Sequence, residues 1–392
     1  MSEPQTTSQP QTASQPQAVT EKRVTWAELF FDLVFVFAIT QVSVLLHDDH
    51  SAAGMLRAAV VFVPIYWAWV GMTVYANTHD VDNPIDRMGM FAVGLLSLFM
   101  ALALPDAYGD RGLLFAVSYL LLRALLAALV YRGQVRAVLN VFSATAVFTG
   151  PLLVAGAFLD GWARVGVWAV GGVASLAMPA LFRRRLTRLQ YDTAHMPERF
   201  GLFLIIALGE SIVAVGRPAA EAKHLSAAVV VAVALSFVLA CGLWWVYFHF
   251  AASAVHHGLV IARVQTDVVR SVLSYGHLLF IAAIIAVSGG LAEVVAHPDH
   301  HLDGSVTALL FGGCALYLAT FGYTRWRMFR TFGKTRPVAT VVVLALVPLA
   351  GVLPALVALG LLAAVVLALN IAEYVVVRRA ARTAPPEPAP AS

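Results

Sequence analysis

Charge is scarce in this sequence. Only 12% of its 392 residues are Asp, Glu, Lys or Arg, while 60% are hydrophobic and the mean hydropathy is +0.80. A soluble domain carries roughly 25% charged residues, so this chain lacks the polar surface that a water-facing fold needs. What remains is a polytopic membrane protein. The net charge of +4 and the pI near 9.2 do not mark a nucleic-acid surface, because the basic residues fall in loops between apolar segments. Cysteine is scarcer still. Cys241 and Cys314 both lie in apolar segments, which predicts neither a disulfide framework nor a cysteine metal site, only small buried hydrophobes.

Catalytic signatures are also missing. There is no P-loop, no CxxC pair, no GxSxG and no HExxH. An enzyme, a cofactor and a bound metal are therefore not expected. The glycine pairs at 171–172, 289–290 and 312–313 suit close helix packing instead. Residues 1–23 are rich in Gln, Ser, Thr and Pro and have no apolar core, so they read as a disordered tail and not as a signal peptide. Residues 381–392 read as a second, Pro/Ala-rich tail.

What is present is a series of apolar runs of about 20 residues, the length of a membrane-spanning helix. They predict an all-α polytopic integral membrane protein of about 12 spans. The predicted spans are Thr25–Leu46, Gly54–Ala76, Arg87–Leu104, Gly112–Tyr131, Val135–Phe158, Trp162–Phe182, Glu198–Gly216, Leu225–Phe250, Val268–Ala296, Val306–Tyr323, Val338–Leu353 and Ala355–Val377. The last two are parted only by Pro354 and are expected to form a tight hairpin. Lys and Arg set the orientation. Lys22, Arg23, Arg87, Arg132, Arg136, the run Arg183–Arg185, Arg188, Arg199, Arg263, Arg270, Arg325, Arg327, Arg330, Lys334, Arg336, Arg378, Arg379 and Arg382 fall on one side. Arg57, Arg111, Arg164, Arg217 and Lys223 fall on the other. Both termini are therefore expected in the cytoplasm, with an even number of spans.

The two halves echo each other. Glu28 with Phe30 matches Glu198 with Phe200, Trp67 and Trp69 resemble Trp244 and Trp245, Asp86 resembles Asp267, and Arg136 resembles Arg336. Six spans per half make the repeats parallel, as residues 24–190 and 191–380. Chance likeness among apolar helices is the competing explanation.

Ionisable residues inside spans are costly, and they mark pathways, pairs or hydrated cavities. Glu28 and Asp32 lie one turn apart on the first span. Thr25 and Glu28 also read as a capping box, and Glu198 after Pro197 reads as a helix start. Glu210 lies ~18 Å in from Glu198 at 1.5 Å per residue, so it must be protonated, paired or hydrated. Arg123, in the middle of the fourth span, is the expected counter-ion. Gln41, Ser43 and Ser211 suit hydrogen bonds between helices. His249 and His277 are secondary candidates on the path, with packing as the plainer reading. The loops with His79, Asp80, Asp82 and Asp86 and with His297, His300, His301 and Asp303 read mainly as solvated surface.

Two long motifs carry a resemblance. WAELFFDLVFVFAITQVS and ERFGLFLIIALGESIVAVG, followed in order by WWVYF, SYGHL and LYLATFGYTRWR, resemble the bacterial low temperature requirement A family over residues 24–380. The resemblance implies a bacterial inner-membrane protein with many spans. It also implies an acid near WWVYF, where this chain has His249. A looser likeness is to potassium channels of endolysosomes and bacteria built from six-helix units, whose first helix lines a pore. The function expected is a channel or transporter for a small cation, a proton or a small solute. Glu28, Asp32, Glu198, Glu210 and Arg123 would line or gate the path. The alternative is a non-transporting membrane protein that supports cold or envelope adaptation through lipid or protein contacts.

Overall fold

The computed structural model describes residues 22–132, 141–187, 189–222, 224–249 and 251–383. The residues of the tails at 1–21 and 384–392, together with Arg136, Arg188 and Lys223, lie outside the described residues, as does the start of the predicted fifth span.

The described chain is helical, with one isolated bridge between His301 and Pro354. The helices are α1 (Trp26–Asp48), α2 (Ala52–Thr78), α3 (Pro84–Ala103), α4 (Gly112–Arg132), α5 (Val141–Ala157), α6 (Gly161–Leu181), α7 (His195–Glu221), α8 (Ala227–Phe248), α9 (Ala252–Val260), α10 (Gln265–Ala296), α11 (Gly304–Phe329), α12 (Thr335–Ala350) and α13 (Ala355–Thr383). Ten helical stretches are long and apolar enough to cross a membrane, whereas α5 and α12 are shorter apolar helices. The expected spans are thus present, ten at full length and two short. The α12–α13 hairpin breaks at Gly351–Pro354, where Pro354 ends the turn.

Local chemistry starts the helices. Thr25 and Glu28 form the capping box of α1 with both reciprocal bonds. Ser51 caps α2, Asn83 caps α3 ahead of Pro84, and Ser226 caps α8. On one face of the bundle, polar bonds join ends to starts. Arg132 at the end of α4 pairs with Asp86 at the start of α3. Arg183, just after α6, pairs with Asp267 in the first turn of α10. Arg336 at the start of α12 donates to Glu373 near the end of α13 at 2.7 Å. Each link sets the end of one helix beside the start of another, as antiparallel neighbours do in α3 with α4 and α12 with α13.

α2 and α10 lie innermost, with 83% and 72% of their apolar windows buried, against 33% for α6. α1 packs on α2, α3, α7 and α10, and α7 packs on α8 and α10. Leu95, Leu121, Val173, Val213, Phe237 and Ile371 point outward and are exposed. An apolar exterior of this kind suits lipid, because each helix satisfies its own backbone. Cys314 is buried, but Cys241 is exposed on α8, contrary to the expectation that both are buried.

Candidate functional site

The buried charge collects between α1 and α7. The α7 helix begins at His195, one turn earlier than the sequence suggests. His195 and Arg199 are therefore one turn apart on one face, opposite Glu28 and Asp32 on α1.

The outer layer centres on Glu28. Its Oε2 accepts from the Thr25 backbone N–H at 2.8 Å, and its Oε1 lies 3.0 Å from His195 Nε2. Asn77 settles which ring nitrogen carries hydrogen. Its Oδ1 accepts from the Asp192 N–H at 3.1 Å and its Nδ2 donates to the Asp192 carbonyl at 3.2 Å, which orients the amide. Nδ2 also faces His195 Nδ1 at 3.1 Å, so that ring nitrogen accepts. Nε2 then carries the hydrogen and donates to Glu28, and the imidazole is neutral. Asp192 supports the start of α7 by accepting from the N–H groups of His195 at 2.8 Å and Ala194 at 3.0 Å. Burial raises the Asp192 carboxyl pKa, but the backbone donors of His195, Lys22 and Ala194 outweigh it and leave it below the ordinary value. Lys22 Nζ donates to the carbonyls of Ala76 and His79. Burial lowers its amine pKa against the pull of Glu28.

The second layer is a two-pronged ion pair. Arg199 Nη1 donates to Asp32 Oδ2 at 2.7 Å and Nη2 to Oδ1 at 2.8 Å. Trp69 Nε1 donates to Asp32 Oδ1 at 2.8 Å, and the guanidinium lies over the Trp69 ring at 5.7 Å. Glu28, Asp32, His195 and Arg199 are all at most 2% exposed. Two carboxylates here face one guanidinium and a neutral imidazole, with Lys22 at the rim.

Aromatic rings follow. Phe203 stacks on Trp69 at 4.0 Å and meets Tyr66 at 6.0 Å and Phe35 at 6.1 Å. Beyond them lies Glu210, ~16 Å along α7 from Arg199 at 1.5 Å per residue. Glu210 is 4% exposed. Thr40 Oγ1 lies 2.5 Å from Glu210 Oε2 and 3.1 Å from the Val36 carbonyl. The Thr40 hydroxyl is shared between the two oxygens, and Ser43 also hydrogen-bonds the Glu210 carboxyl. Among the described residues, no Lys, Arg or His pairs with Glu210 within 4.0 Å. Ser211 and Ser288 touch at 2.8 Å on the neighbouring turn.

A cavity of about 930 Å³ opens at the Glu28 end, lined by Lys22, Thr25, Asn77, His79, Asp80 and Arg87 among others. Glu198 is not in the seam between α1 and α7. It is exposed and lines a separate cavity with Tyr247 and His256, because position 198 lies a quarter-turn off the His195–Arg199 face. Arg123 is not the counter-ion of these carboxylates. It lies on α4, which packs on α2, α3 and α5, and its Nε donates to the Tyr119 hydroxyl at 3.1 Å. Gln41 is half-buried on α1. His277 is fully buried outside the ion pairs: Nδ1 donates to the Val272 carbonyl at 3.2 Å and Nε2 accepts from the Tyr247 hydroxyl at 2.7 Å. His249 is exposed, with its ring against Trp245 at 4.9 Å. Asp86 accepts from the Tyr75 hydroxyl at 2.9 Å and pairs with Arg132, so it ties α2, α3 and α4 together. Among the described residues, no group of three or more His, Cys, Asp or Glu side chains could hold a metal ion.

Sequence reasoning missed His195, Arg199, Asn77 and Trp69. The signal was available in part, as two complementary pairs at i, i+4 near the starts of α1 and α7.

The profile of the bacterial low temperature requirement A protein family matches residues 23–371. The chain belongs to the low temperature requirement A family. The match takes in α1 to α12 and every residue of the seam. A similar protein is an uncharacterized one of Rhizobium meliloti (strain 1021), 31% identical over 314 residues, which is 76% of each chain. No solved structure matches.

Proposed function

We propose that this member of the low temperature requirement A family carries a proton or a small cation along the seam between α1 and α7. The observation behind the proposal is a pair of carboxylate stations on facing helices, one on each side of an aromatic plug. Glu28 and Asp32 form the first station beneath the 930 Å³ vestibule, and Glu210 with Thr40 forms the second. An intramembrane carboxyl without a cationic partner is the kind of group that proton and ion pathways use. Phe35, Tyr66, Trp69 and Phe203 would hold the path shut in this conformation. The Lys and Arg excess on that side supports a vestibule facing the cytoplasm, with both termini there and the protein in the inner membrane.

The packing supports two related halves. α1 leans on α2 and α3 as α7 leans on α8 and α10, α4 on α3 as α11 on α10, and α6 on α2 as α13 on α8. Thr40 meets Glu210 across a separation of 170 residues, the same register that relates Glu28 to Glu198. Matching positions that meet are what an axis along the membrane normal produces. The test is flux into liposomes holding the purified protein, with a panel of monovalent cations and with an imposed pH gradient. Flux above that of protein-free liposomes supports the proposal. Its absence under every condition overturns it.

The second reading is a non-transporting membrane protein, and the Asp32–Arg199–Trp69 cluster favours it. Both oxygens of Asp32 have donors and the group is dry, which is how a purely structural tie looks. In that reading Asp32→Asn lowers the melting temperature of a protein that moves nothing.

A further inference from the structure

Among the described residues, Arg123 has no acidic partner. It is 2% exposed near the middle of α4, ~13 Å from Arg132 at 1.5 Å per residue. Its Nε donates to Tyr119 and its guanidinium lies 5.3 Å from that ring, but Nη2 is buried without any hydrogen-bond partner. No carboxylate of the described residues lies within ion-pair distance of it. The segment 133–140, which joins α4 to α5, contains no Asp or Glu. Guanidinium does not give up its proton in proteins, so burying it alone costs several kcal/mol.

The surroundings add positive charge. A cavity of about 70 Å³ adjoins Arg123 and is also lined by Trp67, Gly71, Thr145, Arg270 and Ser274. Arg270 donates to Asp267 at 3.2 Å, but Asp267 also serves Arg183. The corner thus holds more guanidinium than carboxylate. A water needs about 10–15 Å³ of such volume, so there is room for one small anion and no large ligand. Gly71 keeps the space open, since a Cβ there would stand 2.9 Å from Arg123 Nη1.

We propose that this cavity between α2, α4, α5 and α10 binds one small monovalent inorganic anion of chloride or bicarbonate size, with Arg123 as its charge partner. The bound anion completes the buried pair and joins the first half of the chain to the start of α10.

The test is equilibrium binding of radiolabelled chloride to the full-length protein in nanodiscs, in a gluconate background. One saturable site per chain is expected in the wild type. Arg123→Gln should weaken it at least tenfold. Gly71→Ala, whose methyl displaces the guanidinium, should weaken it as well, and it decides the matter if Arg123→Gln does not fold. Competition by bicarbonate at lower concentration than chloride identifies bicarbonate as the preferred anion, and the reverse identifies chloride. Absence of saturable chloride binding, or unchanged affinity in the folded variants, overturns the proposal.

Discussion

At the scale of single residues, Arg199 decides the state of the seam. It stands against Asp32 through two bonds and lies 3.7 Å from Glu28 Oε1. Removing one partner of a buried ion pair strands the other, at a cost of about 3–5 kcal/mol. Arg199→Gln should lose stability on that scale, read as unfolding in detergent micelles. Adding Asp32→Asn to it should restore part of the loss, because the stranded carboxylate becomes neutral. Additive losses would show that the two side chains do not act as a pair. Asp192 gives a pH signature outside the spans. Its carboxyl sits below the ordinary value in the folded chain, so the stability it adds is full above the unfolded pKa of roughly 3.9 and is lost as pH falls through the folded value. The stability gap between wild type and Asp192→Asn should therefore be largest near pH 7 and close in acid. A gap that does not change with pH would contradict that role.

At the scale of helices, the apolar runs are legible and their ends less so. Capping chemistry at Thr25, Ser51, Asn83 and Ser226 lies in the sequence and starts four helices where it stands. The start of α7 is not capped by its own N-cap residue, Ala194, but by the Asp192 carboxylate, which Asn77 and Lys22 hold from more than 100 residues away in the chain. That is why Arg199 reads as a flanking charge in the sequence and proves to be buried. One glycine of each pair, Gly171, Gly290 and Gly313, sits at a close approach, while Gly312 faces open space. A Cβ on Gly313 would stand 2.9 Å from the Ala283 carbonyl oxygen and 3.0 Å from the Val287 nitrogen, both backbone atoms of α10. Gly313→Ala must push α11 away from α10, and it should cost about 1–3 kcal/mol. A melting temperature equal to that of wild type would show that this crossing has slack.

At the scale of the whole molecule, scarce charge was enough to read a multi-pass helical membrane protein, and ten full-length candidate spans agree with it. The carboxylates on the first and seventh predicted spans were legible because charge in an apolar run stands out. Their partners were not, since Glu28–His195 and Asp32–Arg199 each join residues 167 positions apart. Arg123 was the natural choice by depth alone, and only the packing of α4 away from the seam removes it. We propose that α1 and α7 form a path on which Glu210 holds the permeating proton or cation. Flux through liposomes containing Glu210→Gln, set beside wild type at equal protein content and equal melting temperature, tests it most directly. Wild type should conduct, and flux through Glu210→Gln should fall at least tenfold. Equal flux through both proteins would contradict it.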